Sequence, residues 1–117
     1  MILILSADPV AAALLGALIE TLGYTVKFAR ASERGDESLR RVRPKICMLD
    51  CDDPSVCNSE MLGRATMRRI SVVIFGTSAA LDRVRALALE HDIEVLLVPP
   101  DTPALASMLE RAMQKAG

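Results

Sequence analysis

The stretch ICMLDCDDP, residues 46–54, runs four apolar residues into an aspartate, then adds two more aspartates and a proline. Continuous apolarity over the length of a strand marks backbone buried on both faces, the habit of a central strand in a parallel sheet. Asp50 then stands where that strand ends. Two readings are open: a nucleophile or metal ligand held at the rim of a sheet, or an acidic residue closing a turn before Pro54. The neighbours brought to that rim decide between them.

Working outward, apolar runs of strand length alternate with segments of helical period, the pattern of a parallel sheet covered by helices. Ile2 to Leu5 reads as the first strand. Asp8 reads as an N-cap with Pro9 at the first helical position. Leu14, Leu18 and Leu22, flanked by Leu15 and Ile19, form a helical stripe that Gly23 ends. Thr25 to Phe28 is a short second strand, placed at a sheet edge because it carries Lys27. A weaker helix lies within Glu33 to Val42, diluted by Gly35 and stopped before Pro44.

After the central strand, Ile46 to Leu49, a helix is expected from Ser59 to Arg69. Met61, Leu62, Ala65 and Met67 would be its apolar contacts, with Arg64, Arg68 and Arg69 on the wet side. Val72 to Phe75 is the fourth strand, Leu81 to His91 the fourth helix and Glu94 to Val98 the fifth strand. Thr102 is expected to cap a last helix opening at Pro103, burying Leu105, Met108, Leu109 and Ala112, and closed by Gly117. Residues 1–117 thus predict one α/β domain, a (βα)5 chain folded as a three-layer αβα sandwich. Sites in such sheets lie beyond the carboxyl ends of the strands. The residues to examine are therefore Ser6, Ala7 and Asp8; Asp50, Cys51, Asp52 and Asp53; Gly76, Thr77 and Ser78; and Val98, Pro99 and Pro100.

Composition narrows the function. Lys and Arg number 14 against 15 Asp and Glu, a formal net charge of -1 that offers no overall attraction to nucleic acid or an anionic membrane. No apolar run approaches the length of a membrane span, and MILIL lacks the basic flank of a targeting segment. A cytoplasmic protein is expected. The three cysteines, Cys47, Cys51 and Cys57, lack the paired spacing of a zinc site and read as one core residue and two reduced loop thiols. His91 reads as a cation at a helix end. Ser6 has no recognisable triad, and no glycine-rich phosphate loop follows a strand, so hydrolysis and dinucleotide binding are poor readings.

With these positions aligned, the chain resembles the receiver domain of two-component response regulators over essentially its whole length. ILILSADP (residues 2–9) with LIETLGYTV (18–26) is similar to the family's first strand, helix and glycine turn. RPKICMLDCDDP (43–54) is similar to its phosphoacceptor strand, with Asp50 at the aspartate; VPPD (98–101) is similar to its Lys-Pro-x-Asp turn. The resemblance implies a sheet of strand order 2-1-3-4-5. It also implies an acidic pair and the central aspartate holding Mg2+, a lysine after the fifth strand, a Thr or Ser after the fourth and an aromatic in the fifth.

Asp50 matches, and Asp52 would supply the backbone carbonyl to the metal. The other side chains depart from the pattern. Ser6 and Ala7 fall at the acidic pair, with Asp8 one residue late. Val98, or Pro99 if the register shifts by one, replaces the lysine. Gly76 falls at the Thr/Ser position, with Thr77 one step off, and Val95 at the aromatic. Phosphoryl transfer to a carboxylate needs the charge on the transferring oxygens neutralised. Each missing group is expected to cost on the order of 3 kcal/mol of transition-state stabilisation.

The expectation is an atypical receiver-like signalling module, not an enzyme. It would act by binding a protein partner, a kinase, an effector or a second copy, through the fourth helix, fifth strand and fifth helix. Leu81, Arg83, Val84, Arg85 and Glu90 are candidate contacts. No cofactor is expected. Two alternatives stay open: phosphoacceptance at Asp50 with Mg2+ held by Asp8, Asp50 and Asp52, and a small-molecule or ion-binding domain using the acidic rim. On either, the rim carries Asp8, Asp50, Asp52 and Asp53 with no Lys or Arg matched to it.

Overall fold

The computed structural model describes residues 1–116; Gly117 lies outside them. Five strands alternate with five helices: β1 (Ile2–Leu5), α1 (Pro9–Thr21), β2 (Val26–Phe28), α2 (Gly35–Val42), β3 (Ile46–Asp50), α3 (Ser59–Met67), β4 (Ser71–Gly76), α4 (Ser78–Glu90), β5 (Glu94–Leu97) and α5 (Thr102–Lys115). All strand pairs are parallel and the order is β2-β1-β3-β4-β5, so β3 is central and β2 is an edge strand, as its lysine implied.

Strand side chains point alternately to opposite faces, and this alternation divides the apolar residues between two cores. Leu3, Leu5, Cys47, Leu49, Val72 and Ile74 face α2, α3 and α4, meeting Leu39, Leu62 and Leu81. Ile2, Ile4, Ile46, Met48, Val73 and Phe75 face α1 and α5, meeting Leu15, Ile19, Leu105 and Leu109. A sheet covered on both sides explains why residues 46–49 carry no polar side chain.

Several boundaries and faces differ from the sequence expectation. In α1 the buried positions are Ala12, Leu15, Gly16 and Ile19, while Leu14 is 65% exposed. The helix is rotated so that small residues sit near the sheet. Met67 at the end of α3 is exposed, not a core contact. α4 begins three residues earlier than its apolar pattern, because Thr77 caps it, and His91 stands at its C-terminal cap. Asp101, not Thr102, caps α5. Leu81 is buried in the core, which removes it from the candidate contact surface. Gly23 has φ +94, a left-handed turn after α1 that other residues rarely adopt. Among the described residues no helix is long and apolar enough to cross a membrane.

Candidate functional site

Parallel pairing brings the carboxyl ends of β1, β3, β4 and β5 to one rim. Asp50 is the last residue of β3, in register with Phe75, and the ladder continues as Cys51 N donates to Phe75 O at 3.0 Å. β4 ends at Gly76, whose carbonyl accepts from Val98 N at 3.0 Å, so the β5 turn is tied to the same edge. The Val98–Pro99 peptide bond is cis.

Asp50 is only 8% exposed, and both its carboxylate oxygens are engaged by neighbours. Ser6 Oγ donates to Oδ2 at 2.7 Å, and the Asp52 amide donates to Oδ1 at 3.0 Å. Ser6 Oγ accepts from the Asp8 amide at 3.0 Å, so one hydroxyl connects the end of β1 to the end of β3. Asp8 points its carboxylate at its own helix, accepting from the Val10 and Ala11 amides at 3.0 and 3.2 Å. Ala7 is exposed and offers no polar side chain. Asp53 closes a turn by accepting from Ser55 N at 3.1 Å.

One expectation for the rim is overturned. Arg83 of α4 reaches Asp52, with Nη2 at 2.9 Å from Oδ1. A sequence separation of 31 hid this pairing, since it depends on how α4 packs beside the β3–α3 loop. Both side chains are more than half exposed, so the pair is worth at most about 1 kcal/mol and is screened by salt. None of the ion pairs among the described residues includes Asp50.

The remaining positions are apolar or occupied. Val98 is half-buried and Val95 is 38% exposed. Thr77 Oγ1 accepts from the Ala80 amide at 3.5 Å, so its hydroxyl is engaged as the cap of α4. The space above Gly76 is filled by the Cys51 side chain. All three cysteines are free and buried, the loop thiols included. Burial pushes the Cys47 thiol up to about 12. The Cys57 thiol is pushed up to about 11, first by burial and then by the nearby Cys51, Asp50 and Asp53. Burial, with Asp52 and Asp50, also raises Cys51. These thiols stay protonated near neutral pH and are poor nucleophiles.

The ligating atoms that lie within 4.8 Å of one another belong to Asp50, Cys51 and Asp52, and Asp8 is outside this set. Magnesium demands hard oxygen donors in near-octahedral geometry. Here one donor is a protonated sulfur, one carboxylate is paired with Arg83 and the other is held by Ser6 and the Asp52 amide. The set does not suit magnesium.

Beside the rim is an open cavity of about 670 Å3, lined among others by Ser6, Arg30, Glu33, Asp53, Asn58 and Arg64. Much of its charge is internally paired. Arg64 bridges Asp36 at 2.9 Å, and Glu33 accepts from Arg41 Nε at 2.6 Å.

No family model and no curated protein matches the chain. Solved structures do. The receiver domain of the sensor histidine kinase PA1611 from Pseudomonas aeruginosa PAO1, crystallised with magnesium in its active-site cleft, superposes with a TM-score of 0.77. It is 22% identical, over 97% of this chain and 96% of that one. A response regulator receiver domain protein from Clostridium thermocellum gives 0.76 at 19% identity, over 97% and 94%. A putative pilus assembly-related protein from Burkholderia pseudomallei K96243 gives 0.72 at 22%, over 99% and 90%. The strand order and the superpositions together establish that this chain has the receiver fold.

Proposed function

We propose that the chain is a receiver-like signalling module that acts by binding a protein partner and does not switch through phosphorylation of Asp50. The observation that carries this reading is the state of the Asp50 carboxylate: both oxygens are bonded to neighbouring donors, and among the described residues no ion pair includes it. A phosphoryl group arriving there would bring negative charge beside Asp52 and Asp53, where Arg83 is already engaged by Asp52 and no lysine follows β5 to offset it. Gly76, Val95 and Val98 carry no group able to respond to it. The domain has no catalytic role in this reading.

The contact surface proposed is α4, β5 and α5. Val95 and Leu97 lie on the α4 side of the sheet by strand alternation, yet they are 38% and 55% exposed, and Leu89 of α4 is 79% exposed. Arg83, Arg85 and Glu90 add exposed charge along α4. An apolar centre with a polar rim is the usual composition of a protein interface. Its occupant would be a kinase, an effector or a second copy of the chain.

Incubation with acetyl phosphate and Mg2+, followed by intact-mass measurement, tests the phosphorylation claim. No phosphoryl adduct is expected on the wild-type chain. A stable adduct that disappears in Asp50→Asn would show Asp50 to be a working acceptor and overturn the reading.

A further inference from the structure

We infer that Cys51 and Gly76 form an obligate steric pair: the Cys51 side chain occupies the volume a side chain at position 76 would need, and so fastens the β3–α3 loop to the start of α4. The geometry is local and specific. A Cβ built on Gly76 would fall inside the van der Waals sphere of Cys51 Sγ, while standing 3.6 Å from both Cys51 Cβ and Ala80 Cβ, which is ordinary contact. Gly76 is not required for its backbone, because its φ lies outside the left-handed region and its strand hydrogen bonds are regular. The sulfur alone excludes a side chain there.

The consequence reaches α4. Ala80 packs against the same position, and its amide is held by the Thr77 cap. Three residues further along the helix, Arg83 holds Asp52, the residue after Cys51. The loop that follows Asp50 is thus attached to the first two turns of α4, once by packing of a buried sulfur and once by an exposed ion pair. The packing contact is the firmer of the two, since salt does not screen it. A displacement of this loop must carry the beginning of α4 with it. A side chain at 76, a hydroxyl included, requires the Cys51 sulfur to shift or be removed.

The inference goes beyond the proposed function and makes no assumption about the chemistry of Asp50, so the phosphodonor experiment and the following one fail separately. Thermal melts are recorded for the wild type, Gly76→Ala, Cys51→Ala and the double variant. Overpacking a tight site makes Gly76→Ala lower the melting temperature of the wild type by about 10 °C. In the Cys51→Ala background the same substitution is expected to change it by less than about 2 °C, or to raise it, because the new methyl group meets only ordinary contacts and restricts the unfolded chain. Failure of Gly76→Ala to fold while the double variant folds would equally support the pair. An equal loss in both backgrounds, failure of both to fold, or no loss in the wild type would overturn it. Amide exchange at Ala80 and Leu81 is the second readout. It should quicken in Cys51→Ala and recover in the double variant, and unchanged exchange in Cys51→Ala would refute the attachment to α4.

Discussion

Leu49→Ala is expected to lower the melting temperature by about 10 °C or more, from a loss of about 3 kcal/mol or more. Leu49 is fully buried in the central strand, paired with Leu5 on one side and Ile74 on the other, beneath α2, α3 and α4. The same truncation at Leu14 should shift the transition by no more than about 2 °C, because that side chain already stands in water. Thermal denaturation of the two variants checks the placement of both residues. Equal losses would mean that α1 presents its leucine stripe to the sheet after all.

The second large effect is expected at Glu33. Its carboxylate accepts from the Arg30 amide at 3.0 Å, from Ser38 Oγ and from Arg41 Nε and Nη2, while Arg41 also donates to Phe28 O at 3.0 Å. The cluster fastens the β2–α2 connection to α2, whose N-cap residue Arg34 makes no side-chain capping bond. Hydrogen bonds from Arg41, then Ser38 and Arg30, hold Glu33 well below the usual carboxylate range. The sign follows from linkage. A depressed folded value means the unfolded chain takes up protons first, so the contribution is complete above the unfolded value of about 4.3 and is lost as pH falls below it. Glu33→Gln should therefore melt several degrees below the wild type at pH 7, and the gap should narrow steadily from about pH 4 downward. Melts across that range read the effect. A gap that stays constant with pH would remove the ionic contribution. Glu94, lowered chiefly by its hydrogen bond from Arg111, adds acid sensitivity of the same sign that both proteins share.

What could be read from the sequence follows from the range of the interactions involved. Strand positions, the centrality of β3 and the Asp8-Pro9 start of α1 rest on neighbouring residues and periodicity. They were visible in ILILSADP and ICMLDCDDP. The face of α1 is not legible in the chain because Leu14 and Leu15 are both leucines, and only the close approach of helix to strand at Gly16 selects Leu15. At the rim, Asp50 and the absence of a lysine at residues 98 and 99 were legible from the chain alone. Arg83 meeting Asp52 and Cys51 filling the space over Gly76 were not, since each joins segments brought together only by the β3–β4 register and the packing of α4. A signal for the second pair did exist: a glycine ending a fully buried strand with no turn to require it.

Whether Asp50 can drive a switch is read from a pair of amide proton–nitrogen spectra of the whole chain, recorded with Mg2+ before and after saturation with beryllofluoride, a phosphoryl mimic. Unchanged resonances are expected for Asp50, Gly76 and the α4–β5 surface. Saturable shifts at Asp50 that extend to Gly76 and α4, and that are absent in Asp50→Asn, would contradict that expectation.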